Sequence, residues 1–321
     1  MAPNLLTANG TAHTSPFVWV RQGSGSTVVS ALEAAGLAWG QPTTLDHVEV
    51  LVLGKNALAY RRFQAILDAL TRPPFLHQTL HVYAAAGRAS SVVGATIALG
   101  PNPADVLNHQ ARASQWRQGF TRLRFDRLVG QWWNAPQDAA VIPAIGMGQR
   151  LGEGSVNYVF SGAWVVSRFS APRPISRLQV RLWAWLANQA APATSTIVAK
   201  RNPVTLLVDT NRTRFRWEAG GIQVTDHLSV DVLATSRTST RLSARTVAEA
   251  AAKKWTAQEM QVIDWAKAHH ADIFQWGRAI AAEKVSGYPV PSTKWPLVFA
   301  KTRVALRLTV RVRSFGAYNR A

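Results

Sequence analysis

The sequence predicts a mainly β protein with α-helical insertions, arranged as an antiparallel, jelly-roll-like sandwich. Three observations lead there. Apolar residues alternate with polar or basic ones over several short stretches, which is the period of a half-buried strand. Gly, Pro and Asn punctuate those stretches at short intervals, as in sandwiches and barrels rather than in βαβ sheets. And 47% hydrophobic residues in a chain of 321 suffice for a large core.

Taken in chain order, residues 1–25 are rich in Asn, Thr, Ser and Gly around the apolar patch Phe17–Val20. Gly23-Ser24-Gly25 reads as a hinge or, alternatively, as an anion cradle before a helix. That helix is predicted over Thr27–Ala35, with Gly36 as its stop. Residues 1–45 thus form an N-terminal arm with a short helix, and residues 46–321 a β-rich domain. In the latter, Val48–Leu53 reads as a strand and Asn56–Leu70 as a helix that Arg72-Pro73-Pro74 ends. Strands are predicted at Leu76–Ala84 and Ser91–Leu99. A helix begins at Asn102-Pro103-Ala104-Asp105, where Asn caps, Pro suits the first turn and Asp opposes the dipole, and runs to about Trp116. Further strands follow at Phe120–Val129, Asn157–Phe169, Leu178–Leu186, Val204–Val208, Arg212–Glu218 and Ile222–Leu233. A helical insertion occupies about 245–285: Val247–Lys254, then Thr256–Glu283, opened by the capping box Thr256-Ala-Gln-Glu259. The link Tyr288–Pro296 leads to a final strand, Thr302–Ser314.

That final strand carries most of the functional signal. Val304, Leu306, Leu308, Val310 and Val312 alternate with a second face that includes Arg303, Arg307, Arg311 and Arg313. Arg212, Arg214 and Arg216 alternate with Thr213, Phe215 and Trp217, and Arg122 and Arg124 with Leu123 and Phe125. Trp183 and Trp185 accompany Arg181 in the same way. The formal net charge is +19, from 36 basic and 17 acidic residues. Of the basic residues 28 are Arg, the better fork for phosphate. A GC-rich genome explains part of an arginine bias but not the scarcity of acids. Residues 1–100 hold 6 basic and 4 acidic residues and residues 251–321 hold 12 and 4, so the charge is displayed away from the N-terminal third. Arginine-lined strands imply a polyanionic partner, with nucleic acid first and RNA ahead of DNA.

Other chemistry is thin. No cysteine is present, which excludes disulfides, thiolate metal sites and a cysteine nucleophile within these residues. No phosphate-binding P-loop, nucleophile elbow or zinc-protease motif occurs. His77 and His81 lack a third ligand, so neither metal nor cofactor is expected, and nothing argues for an enzyme. No apolar run approaches 18 residues, no signal peptide is recognised, and no membrane partner is expected. Among the 13 tryptophans, Trp255 is expected to point outward from the helical insertion and to contact a neighbouring subunit.

The segment Gly100-Pro101-Asn102-Pro103, Leu107-Asn108 and Trp116–Phe125, together with Val304–Phe315, resembles the coat proteins of small icosahedral RNA viruses of the tombusvirus and nodavirus kind. The resemblance implies a jelly-roll capsid subunit that assembles with copies of itself around nucleic acid, in a virion. Two alternatives stay open. The order β-α-β-β-α-β over residues 48–129 is that of ferredoxin-like RNA-binding folds and suggests a backbone subunit of a CRISPR-type ribonucleoprotein, in the cytoplasm. A phage tail or connector protein is the other.

Overall fold

The computed structural model describes residues 22–37, 40, 45, 47–72, 79–95, 104–109, 122–134, 139–150, 156–189, 192–218, 220–235, 242–282 and 293–315. The chain forms two compact units, of which the second holds residues 112–122, 130–141 and 162–321 and the first holds the rest. A division near residue 45 therefore falls inside the first unit. The architecture is mixed: two open sheets with helices.

In the first unit, helix α1 (Val28–Leu37) starts where Thr27 and Ser30 exchange backbone-to-hydroxyl hydrogen bonds of 3.0 and 3.1 Å. Gly23 and Gly25 pack on that helix. A Cβ at Gly23 would lie 2.0 Å from the Ala31 carbonyl oxygen, so close approach, not hinging, requires glycine there. Strand β1 (Val50–Leu53) pairs in parallel with β2 (His81–Ala85), joined through a 3-10 turn and α2 (Tyr60–Thr71), which buries Phe63, Leu67 and Leu70. Residues 89–93, expected as a strand, form helix α3 (Ala89–Val93), and residues 104–109 form α4. Residues 73–78, 96–103 and 110–121 of the expected strands and helix lie outside the described residues. The expected strand 120–129 reduces to β3 (Leu123–Arg124), antiparallel to β2, and gives way to α5 (Phe125–Asn134). In α5, Phe125, Leu128 and Trp132 are buried at helical spacing. Strand β4 (Ala140–Arg150) pairs in parallel with β2. The strand order is β1-β2-β4-β5-β6, in which β5 (Val156–Val166) passes into the second unit at Gly162 and β6 (Arg173–Ser176) belongs to that unit.

The second unit is built on α6 (Arg177–Leu186) and a four-stranded sheet, β10-β9-β8-β7. Its strands are β7 (Ala193–Ala199), β8 (Asn202–Glu218), β9 (Gly221–Thr235) and β10 (Arg303–Ser314). The pairs β7–β8 and β8–β9 are antiparallel, but β9 and β10 are parallel. A parallel neighbour needs a crossover, and among the described residues three helices supply it: α7 (Ala244–Ala268), α8 (Trp276–Ala282) and α9 (Trp295–Lys301). Parallel pairs in both sheets replace the all-antiparallel jelly roll expected from the sequence. They also explain why a helical block precedes the last strand.

Two further expectations are corrected. Leu178–Leu186 is helical, because Ser176 and Gln179 form a reciprocal capping box; Val180, Leu182, Trp183, Ala184, Trp185 and Leu186 are all buried. The capping box expected at Thr256–Glu259 lies in mid-helix. The N-cap of α7 is Ser243, whose hydroxyl accepts from the Thr246 amide at 3.2 Å.

Behind the sheet, an aromatic core gathers Trp185, Trp255, Trp276, Trp295 and Phe299. Trp255 meets Trp185 edge to face at 5.3 Å and is fully buried, so it is a core residue and not the outward contact expected from the sequence. Burial of a side chain worth several kcal/mol explains the helical stripe that carries it. Asp272 ties the core together: its carboxylate accepts from Trp295 Nε1 at 2.8 Å and from the amides of Gly277 at 2.8 Å and Phe274 at 3.2 Å. Gly277 is required beside it, since a Cβ would fall 2.2 Å from Trp295 Nε1.

Candidate functional site: a basic sheet face

The second sheet has one face on the aromatic core and one in solvent. Register decides which residues share the solvent face. Arg307, Thr225 and Arg214 stand in one row across β10, β9 and β8. The next row is Thr309, His227 and Arg212, and the row on the other side is Ala305, Gln223 and Arg216. Arg303 and Arg311 extend the β10 edge of this grid. The intervening residues Val304, Leu306, Phe215, Trp217, Ile222 and Val224 pack on the core. Six arginines expected from the sequence as separate rows thus come together on one exposed face. With about 3.3 Å per residue and 4.8 Å between strands, they cover roughly 26 by 10 Å.

The face is nearly uncompensated. Glu218, opposite Gly221, is its one acid among the described residues of these rows. Among the described residues no ion pair engages Arg212, Arg214, Arg216, Arg303, Arg307 or Arg311. Nor does a large apolar side chain stand between them. Arg313 differs. It sits at a bulge in β10, pairs with Asp209 at 2.8 Å and with Asp231, and so belongs to a structural ion-pair cluster. The Arg313 guanidinium, with help from the Ser314 hydroxyl, holds the Asp231 carboxyl below its usual range.

The remaining expected positions are elsewhere. Arg124 is in the first unit and pairs with Asp126 at 2.7 Å; Arg122 lies just before β3. Arg181 is on α6, where Trp183 donates to the Ile273 carbonyl at 2.7 Å and Trp185 is buried. No aromatic platform for bases exists there. Among the described residues no cluster of His, Asp or Glu is arranged to hold a metal ion, and no helix is long and apolar enough to cross a membrane.

One pair of groups escapes a reading by motif. Asp226 of β9 and Glu259 of α7 are both fully buried and adjacent. Asp226 occupies the inward phase of β9, between Val224 and Leu228, and that phase was the available signal. The Thr213 hydroxyl lies 2.8 Å from Asp226 Oδ1 and from the Trp185 carbonyl. Burial raises both carboxyls, Glu259 well above its usual range because the Asp226 charge adds to the effect.

Residues 2–147 match the family described as the spore germination protein N-terminal domain. A comparison with curated proteins gives no match. Among solved structures, the crystal structure of the GerBC protein is similar, with a TM-score of 0.62 and 16% identity over 85% of this chain and 81% of that one. At that identity the likeness establishes the fold, a two-sheet α/β architecture. These findings overturn the coat-protein resemblance and, with it, the capsid function. The ribonucleoprotein and phage-tail alternatives fall too, as do nucleic acid and self-assembly as partners and the virion or cytoplasm as location. The arginine rows are real, but the nucleic acid inferred from them is corrected.

Proposed function

We propose that this chain is a non-enzymatic, receptor-like subunit acting in spore germination, and that the basic face of its β7–β10 sheet docks on an anionic membrane surface. The match of residues 2–147 to a spore germination domain supports the first part. The observation that carries the second is the six-arginine face, exposed and almost free of acids. Protein partners are usually anchored by buried aromatic or aliphatic residues, and the rows between β8 and β10 offer none. An array of guanidiniums separated by Thr, Ser, His and Gln suits a surface of many equivalent phosphates.

Vesicle sedimentation tests the docking. Binding should require anionic phosphatidylglycerol in phosphatidylcholine vesicles and weaken as salt screens the attraction. The triple change Arg303→Gln, Arg307→Gln, Arg311→Gln should lower affinity at least about tenfold while leaving the fold intact. Equal binding to neutral vesicles, or an unaffected triple variant, refutes the docking reading. Binding to an acidic protein but not to anionic vesicles also refutes it. For the first part, disrupting the gene in its source organism should delay the return of dormant cells to growth. Unaltered timing refutes that part.

A further inference from the structure

A second basic feature lies apart from the arginine rows, at the other edge of the sheet. There β7, α6 and α7 enclose a cleft of about 230 Å³. With about 30 Å³ per water in the liquid, it has room for a ligand the size of roughly seven waters. Two cations enter it, Arg181 from α6 and Lys254 from α7, accompanied by Thr196, Thr205 and Gln258, and among the described residues no carboxylate lines it.

The cations are held but not neutralised. Arg181 Nη1 donates to the Thr194 carbonyl at 2.7 Å, and Lys254 Nζ donates to the Thr196 carbonyl at 2.7 Å. These bonds cap two carbonyls of the exposed β7 edge, a common use of charge on edge strands. Capping needs one donor from each side chain. It leaves four N–H groups on Arg181 and two on Lys254, and Arg181 Nε is buried with no hydrogen-bond partner. The Thr196 and Thr205 hydroxyls stand 3.3 Å apart on paired residues of β7 and β8. Burial lowers the Arg181 pKa, as it does for a desolvated cation that lacks a counter-charge.

We infer that this cleft binds a small oxyanion, a phosphate or a short carboxylate, between Arg181 and Lys254, with the Thr196–Thr205 hydroxyls completing its shell. The fixed fork of Arg181 supplies a charge-assisted pair of hydrogen bonds and Lys254 a point charge opposite it. The two edge carbonyls hold both side chains in place before the ligand arrives.

The test is thermal unfolding of the full chain titrated with inorganic phosphate, succinate or chloride at constant ionic strength. Binding to the native state raises the midpoint as the logarithm of ligand over Kd. A saturable rise with phosphate alone assigns a phosphate-type ligand, with succinate alone a carboxylate, and with both the shared oxyanion chemistry. Lys254→Met should weaken the response at least about tenfold without altering the unliganded midpoint much, since Lys254 is exposed. Arg181→Met should do the same if it folds, and Lys254→Met decides the matter if it does not. The Arg303, Arg307 and Arg311 triple change should leave the response intact, which separates this site from the membrane face. No saturable response to either anion, an unchanged response in Lys254→Met, or loss of the response in the triple variant would overturn the inference.

Discussion

Replacing Glu259 by Gln should make the protein more stable at neutral pH and flatten the fall of its stability as pH rises above the ordinary Glu range. The Glu259 oxygens and Asp226 Oδ2 have no donor among the described residues unless one carboxyl keeps its proton. Burial and the neighbouring Asp226 charge raise Glu259 far above its ordinary range, and burial raises Asp226 against the hydrogen bonds from Thr213 and Glu259 and the charge of His227. The two titrate as a pair, with the shared proton on the Glu259 side. The sign follows from linkage. Both folded-state values lie above the unfolded ones, so the folded state holds more protons, and stability present at low pH is lost as pH rises. One proton retained by the folded state alone gives a slope of at most about −1.4 kcal/mol per pH unit, beginning above the ordinary Glu value of about 4.3. As pH rises above that value the wild type should therefore lose stability, with a slope from this pair no steeper than that. A glutamine keeps the shape, needs no proton and can donate to Asp226. Urea unfolding followed by tryptophan fluorescence at half-unit pH steps measures the two curves. Parallel pH profiles for wild type and Glu259→Gln would show that the pair does not share a proton in the folded state.

Two further variants probe the core behind the sheet. Gly277→Ala places a methyl group against the Trp295 indole and strains its bond to Asp272. Overpacking together with a weakened charge-assisted hydrogen bond should cost about 3 kcal/mol in urea unfolding, and a loss below about 1 kcal/mol would mean that the indole moves aside freely. Trp255→Ala should cost about 3–5 kcal/mol because the side chain is fully buried against Trp185. A near-native midpoint would return Trp255 to the surface.

The sequence revealed elements where period and punctuation agreed. Val50–Leu53, Tyr60–Thr71, Gly221–Thr235 and Arg303–Ser314 lie where alternation or helical spacing placed them. It misled where a segment is buried on all sides. In Arg177–Leu186 nearly every residue from Val180 onward is in the core, so the apolar pattern carries no period, and alternating Leu, Val and Trp suggest a strand. The reciprocal Ser176–Gln179 cap was the better signal. A capping box at Thr256–Glu259 had the right residue types but no function as a cap, because Glu259 is committed to Asp226 inside the core. Parallel pairing was not legible either. Nothing in β10 itself reveals that its neighbour is reached through a helical crossover, and that choice separates the fold from an antiparallel sandwich.

Assembly of the basic face shows what local pattern leaves out. Along β8, Val204, Leu206 and Val208 point into the core, and Arg212, Arg214 and Arg216 have the same parity. An unbroken strand would turn the arginines inward with them, because side chains alternate strictly. The ladder instead slips between Val208 and Thr210, so that Val208 pairs with Val230 and Thr210 with Ser229. The extra residue reverses the phase: Thr213, Phe215 and Trp217 go inward and the arginines go out. The residue released at this bulge is Asp209. It reaches Arg313, which a second bulge in β10 has displaced from its own row, at 2.8 Å. The one arginine of the final strand that is neutralised is therefore the one at the phase change. The others remain free because the register that aligns their rows sets no acid opposite them except Glu218, at the far end of the sheet.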